Sequence, residues 1–163
     1  MIQESIPGTE ASPVVGKGSD ECYTPLWLLE CAAEILGGPI QTDPCWSPRS
    51  LVRPTLHGWQ AHERGEDQPW VGRTWVNPPY SAPGPFMVRA RAHDAPTIAL
   101  VKLDPTTRWW FAAMRGGPSV CLLPVRVRFG GEFSGGGSAM FASALIAWRC
   151  SKCTPALGWW FTP

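Results

Sequence analysis

The sequence predicts an α/β protein: one sheet with helices on both faces and an antiparallel edge. Three observations carry that reading. Apolar, β-rich runs alternate with segments of helical period along most of the chain. The run TIALVKL is apolar almost throughout, as in a strand covered on both faces. The last strand candidates, SVCLLP, RVRF and MFASALIAW, follow one another with no helix between them, which makes that edge antiparallel.

Residues 1–18 are Gly, Ser, Pro and charge without periodicity and read as a flexible tail, leaving 19–163 as a single domain. YTPLWLLECAAEILGG holds the clearest helix. Thr24 is placed to cap it, Pro25 suits its first position, and Gly37 and Gly38 stop it. Leu26, Leu29, Ala33 and Leu36 fall on one face. PIQTDP is a short strand ended by Asp43–Pro44. Residues 44–72 are polar and aperiodic, and a connection that long in a small domain points to a lid or a recognition loop. A short helix is expected there over Ser47–Val52. RTWV is a strand running into NPPY, and GPFMVRARAHD is a helix. In DPTTRWWFAAMRGG, Asp104 caps a further helix, Pro105 sits in its first turn, and Gly116 and Gly117 end it. GGEFSGGGS is a loop joining strands.

Composition excludes several classes. With 163 residues, 44% hydrophobic and 17% charged, the chain fits one globular domain rather than a disordered one. It has no apolar run of about eighteen residues, so no membrane helix is expected. The first residues lack the charged head and apolar block of a secretory signal, so an intracellular location is the expectation. A net charge of +1 gives no overall pull on nucleic acid. DNA binding would therefore need a local basic face, for which Arg53, His57, His62 and Arg64 in the long loop, and Arg126 and Arg128 in RVRF, are the candidates; scattered solvated charge is the alternative. Of six cysteines only Cys150 and Cys153 form a CxxC pair, and without a second pair no metal site is expected. Cys31 and Cys121 read as core residues.

In open α/β sheets ligands bind at the carboxyl ends of the parallel strands. Asp43–Pro44, Asn77–Tyr80 and Lys102–Pro105 all fall at such ends, which suggests one shared site. Capping a helix explains Asp104, but a plain turn explains neither the second proline nor the tyrosine of NPPY. The Asn77 amide oxygen and the Pro78 carbonyl, held by the stiff Pro78–Pro79 pair, are two acceptors able to converge on an NH₂ group. They favour an amine that gains positive character as it attacks an electrophile. Tyr80 is suited to stack on the ring carrying that amine.

NPPY at a strand end resembles the catalytic tetrapeptide of S-adenosylmethionine-dependent amino-methyltransferases. More specifically, the chain is similar to the small phage-type DNA N6-adenine methyltransferases, the Dam family. YTP, TDP, DQPWVGRTWVNPPYS, LVKLDPTTRWWF and VRVRF carry the resemblance, in order, over roughly residues 20–148. The resemblance implies a three-layer Rossmann-like methyltransferase sheet, S-adenosylmethionine as cofactor and double-stranded DNA as substrate. It also implies a cytoplasmic location, the host's if the chain is phage-encoded. It assigns Asn77, Pro78, Pro79 and Tyr80 to catalysis, and Tyr23, Thr24, Pro25 and Asp43 to the cofactor. Sequence choice falls to Arg53 and Arg64 in the 44–72 loop or to Arg126 and Arg128. The chain departs from most such enzymes at DPCWSP, which has no glycine-rich turn after the first strand. Competing readings are a methyltransferase of protein glutamine or RNA guanine, and a non-catalytic DNA-binding module of the same fold.

Overall fold

The computed structural model describes residues 22–130, 140–151 and the backbone of 159–161. The expected tail, the GGEFSGGGS loop beyond Gly130 and Cys153 lie outside the described residues. Helix α1 spans Leu26–Leu36, followed by β1 (Thr42–Asp43), β2 (His57–Gly58), β3 (Thr74–Val76), α2 (Gly84–Ala92), β4 (Thr97–Lys102), α3 (Arg108–Met114), β5 (Ser119–Leu122), β6 (Ser143–Trp148) and β7 (Trp159–Phe161). The strands form one mixed sheet in the order β2-β1-β3-β4-β6-β5-β7. Strands β2, β1, β3 and β4 are parallel neighbours, while every ladder beyond β4 is antiparallel, as expected for that edge. Because β6 runs against both β4 and β5, β5 points the same way as β4.

The alternation of side chains along each strand divides the core into two layers. Trp75, Ile98, Leu100, Leu145 and Ala147 pack with Leu28, Ala32 and Ile35 of α1. Their neighbours Val76, Ala99, Val101, Ala144 and Ile146 pack with Phe86 and Met87 of α2 and Trp110 and Ala113 of α3. Both faces of the sheet are therefore covered, which is why its central strands carry almost no polar residue. No helix among the described residues is long and apolar enough to cross a membrane.

Several local expectations need correction. Ser47–Val52 is a turn, closed by Ser50 N–H donating to the Ser47 carbonyl at 3.0 Å, and not a helix. The 44–72 connection is also less irregular than its sequence, for it holds β2 and two single-turn 3₁₀ helices, Ala61–Glu63 and Gly65–Asp67. RVRF is extended and buries alternate residues, Val127 and Phe129, yet it joins no ladder of the sheet. Gly130 instead bridges to Tyr23, with N–H···O distances of 3.0 and 2.8 Å. On α1 the buried stripe is Leu28, Leu29, Ala32, Ile35 and Leu36, while Leu26 at 56% exposure faces outward. Gly37 ends that helix in the left-handed conformation, φ 82°, as expected of a glycine stop. Helix α3 starts after Thr107 rather than at Asp104, because residues 104–107 close their own turn: Thr107 Oγ1 and N–H both donate to the Asp104 carbonyl. Capping therefore does not account for the Asp104 side chain.

Candidate active site

The parallel run of β1, β3 and β4 brings Asp43, Asn77 and Lys102 to one edge of the sheet. Thr42 pairs with Thr74, so the turn after β1 lies beside the residues that follow β3. The Asn77 backbone N–H hydrogen-bonds the sulfur of Cys45, across that same register. Burial pushes the Cys45 thiol well up, helped by the negative charges of Asp43 and Glu66.

The Asn77 side chain is fixed from the other direction. Its Nδ2 donates to the Cys22 carbonyl at 2.6 Å and to Thr24 Oγ1 at 3.3 Å. Rotating the amide by half a turn would set its oxygen against the Cys22 carbonyl, acceptor on acceptor, so this orientation is chemically determined. Its Oδ1 is buried and has no hydrogen-bond partner among the described residues. Buried polar atoms are nearly always paired, so an acceptor held in place without a partner marks a ligand position. Thr24, 3% exposed, makes no capping bond to α1; its hydroxyl serves the amide, and Pro25 is the N-cap residue.

Pro78 is buried, and the Pro79 carbonyl accepts the Ala82 N–H at 3.0 Å, which closes the turn after the tetrapeptide. The Tyr80 ring meets Phe141 at 4.9 Å and Phe129 at 6.0 Å between centroids, both near-perpendicular. Edge-to-face contacts of this kind hold a ring's plane. The Tyr80 hydroxyl is buried without a partner among the described residues, and burial, with the nearby Cys22 thiol, drives its pKa upward. The bridge between Tyr23 and Gly130 ties Thr24 and Phe129, which flank it, to the same place.

Asp43, 2% exposed, accepts the Cys45 N–H at 2.8 Å. Burial pushes its carboxyl up to about 7, against the lowering effect of that one bond. The turn after it is reached closely by a glycine, though not one that its own sequence holds. A side-chain carbon at Gly65 would fall on the Pro44 carbonyl oxygen. Gly65→Ala is accordingly expected to cost at least the roughly 1–3 kcal/mol of an overpacked site, read as a lowered Tm, because the obstacle is backbone.

The four candidate arginines differ. Arg64, in the left-handed conformation at φ 53°, is held by Asp67 at 2.7 Å. Arg53 donates to the Ser50 and Val52 carbonyls and braces its own loop. Arg126 and Arg128 are exposed, on the segment that delivers Phe129 to Tyr80. Sequence reasoning missed Cys22, Cys45, Gly65, Phe129 and Phe141. Only the isolated glycine between charged residues at 65 and the aromatic ends of the glycine-rich stretch hinted at any of them. Among the described residues, no group of three His, Cys, Asp or Glu side chains is placed to hold a metal ion.

Comparison with known proteins places the chain in a family. The profile of the family described as DNA N-6-adenine-methyltransferase (Dam) matches residues 18–148. A DNA N-6-adenine-methyltransferase of Haemophilus phage HP1 (strain HP1c1) is 26% identical over an alignment of 107 residues that covers 60% of this chain. The chain spans 58% of that relative's length. No solved structure matches.

Proposed function

The chain belongs to the DNA N-6-adenine-methyltransferase (Dam) family, and from that premise we propose that it methylates the exocyclic amine of adenine in double-stranded DNA, with S-adenosylmethionine as donor. The mixed sheet is then read as a three-layer Rossmann-like methyltransferase sheet, with the site at the carboxyl ends of its parallel strands. The observation that carries the proposal is the Asn77 amide: its NH₂ is occupied by Cys22 and Thr24, and its oxygen is buried with no partner among the described residues.

The residues present fit the cofactor. The Asp43 carboxylate, with a single hydrogen bond from Cys45, has acceptor capacity left for hydroxyl or amino groups, and Tyr23, Thr24 and Pro25 lead into α1, with Thr24 bonded to Asn77. When bound, the cofactor supplies an electrophilic methyl group. The chain's task is to present the amine. A duplex buries that group, so the adenine has to be turned out of the stack. Asn77 Oδ1 and the Pro78 carbonyl accept its two N–H groups and stabilise the positive charge that grows on nitrogen as its lone pair leaves conjugation with the ring. Pro79 stiffens the turn that aims the carbonyl, and Tyr80 stacks on the base. Arg126 and Arg128, both exposed, meet DNA phosphates, with Arg53 and Arg64 of the 44–72 loop as the further candidates.

Incubating the protein with duplex DNA and S-adenosylmethionine, followed by nucleoside analysis, should yield N6-methyladenine. Methylcytosine alone, or label found only in protein, would defeat the proposal. Tyr80→Phe tests the stacking role. It should keep methyl transfer and leave stability equal or higher by up to about 1 kcal/mol, since it deletes a buried hydroxyl with no described partner. Loss of transfer in that variant would assign the hydroxyl, not the ring, to the reaction.

A further inference from the structure

A cavity of 290 Å³ lies away from the edge that carries Asn77, lined by Arg91, Gly116, Gly117, Pro118, Trp148 and Arg149. Its walls all belong to the opposite end of the sheet. Arg91 is in the last turn of α2, residues 116–118 lead into β5, and Trp148 and Arg149 close β6. Trp148 pairs with Thr97, the first residue of β4, whereas Asn77 follows Val76, which pairs with Ala99.

The polar side chains of this cavity are all donors. Neither guanidinium has an acidic partner among the described residues. Arg149 gives one N–H to the Arg91 carbonyl at 3.1 Å, which caps the negative end of α2 and retains its remaining donors. Arg149 also stands at φ 57°, an uncommon conformation for a residue with a side chain, where it is turned back toward the helix. Trp148 is 4% exposed, and its indole N–H is buried with no partner among the described residues. An indole nitrogen can only donate, so what satisfies it must be an acceptor.

We propose that this cavity is a second ligand site, separate from methyl transfer, that binds a phosphate group. Two cationic forks and a buried N–H match an oxyanion with several acceptor atoms better than any neutral group. The volume is at the lower end of small-molecule sites, roughly 300–1,000 Å³, which suits a phosphate with little attached rather than a whole nucleotide cofactor. A free phosphate and the backbone of a nucleic acid present the same chemistry.

Titration with inorganic phosphate, followed through the indole N–H resonance of Trp148, tests the site; Trp148→Phe identifies that resonance. Phosphate is expected to shift it saturably, and chloride at equal ionic strength is not. Arg91→Gln, a change on the half-exposed face of α2, should weaken the response by roughly tenfold or more while leaving methyl transfer to DNA unchanged. A duplex oligonucleotide free of adenine, added as a second probe, distinguishes the sources. If it shifts the same resonance, the ligand is backbone phosphate; if only inorganic phosphate does, it is a small anion, and either result upholds the site. Absence of a saturable shift, or an equal response in Arg91→Gln, overturns it whether or not the protein methylates DNA.

Discussion

Asn77→Ala is expected to remove methyl transfer while S-adenosylmethionine still raises the Tm. Losing one preorganised polar group that meets developing charge typically costs about 10²–10³ in kcat. Here alanine also releases the Cys22 carbonyl and Thr24 from the bond that ties the start of α1 to β3, so the fall should reach or exceed the upper figure. Transfer within tenfold of the wild type would refute the amine socket. Asn77→Asp is the sharper probe, because it keeps size and one acceptor. Its second oxygen would stand where Nδ2 now lies, 2.6 Å from the Cys22 carbonyl. Only a protonated carboxyl can donate there, so the folded-state pKa of the new aspartate rises above its unfolded value, about 3.9. The variant is then most stable in acid and loses stability as pH rises through that raised pKa. Melting curves of the variant and the wild type at pH 5 and pH 8 measure this as a fall in the variant larger than the one Asp43 gives the wild type. A variant whose stability falls no further than the wild type's would show that Cys22 does not set the amide's orientation.

What could be read from the sequence was what is encoded locally. The glycine stop of α1 needs only a residue that accepts positive φ, and Gly37 announces it. The doubly covered strands are visible in TIALVK because each of its residues up to Val101 is buried and must be apolar or small, and only Lys102 at its end is exposed. NPPY is legible because its oddity is contained in four residues. The geometry that gives those residues their meaning was not legible, because it is long-range. The clamp on Asn77 comes from a carbonyl 55 residues upstream, a group every residue type possesses. The missing glycine after β1 is answered by Gly65, on a 3₁₀ turn whose sequence promised only polar loop. RVRF alternates as a strand does, since one side faces the core, but it joins no ladder, and the residue after it, Gly130, bridges to Tyr23 instead. Period reports burial; it does not report the partner.

Asp43→Asn should stabilise the protein at pH 8 and weaken its hold on S-adenosylmethionine. The carboxyl is buried at the end of β1, and one N–H, from Cys45, is not enough to keep it in the normal range. Its pKa is pushed up to about 7 in the folded chain, from 3.8. Between those values the unfolded chain releases the proton and the folded one retains it. Stability therefore falls as pH rises from about 4 to about 7 and levels off beyond, by an amount on the order of 4 kcal/mol. Asparagine keeps an oxygen for the Cys45 N–H and carries no charge, so the variant should lack this slope. Its gain at pH 8 should reach on the order of 10 °C in Tm at most. A buried carboxylate so poorly matched by the protein is understandable if a ligand completes it, since active sites commonly trade stability for such groups. Hydroxyl or amino donors from S-adenosylmethionine would favour the ionised form and lower its pKa. Binding to the wild type should then tighten as pH rises toward about 7 and hold constant above it. Thermal shifts with the cofactor at pH 5.5, 7 and 8 would follow that curve in the wild type and stay small and flat in Asp43→Asn. If the Asp43→Asn protein matched the wild type in both slope and affinity, Asp43 would only shape the turn into Pro44.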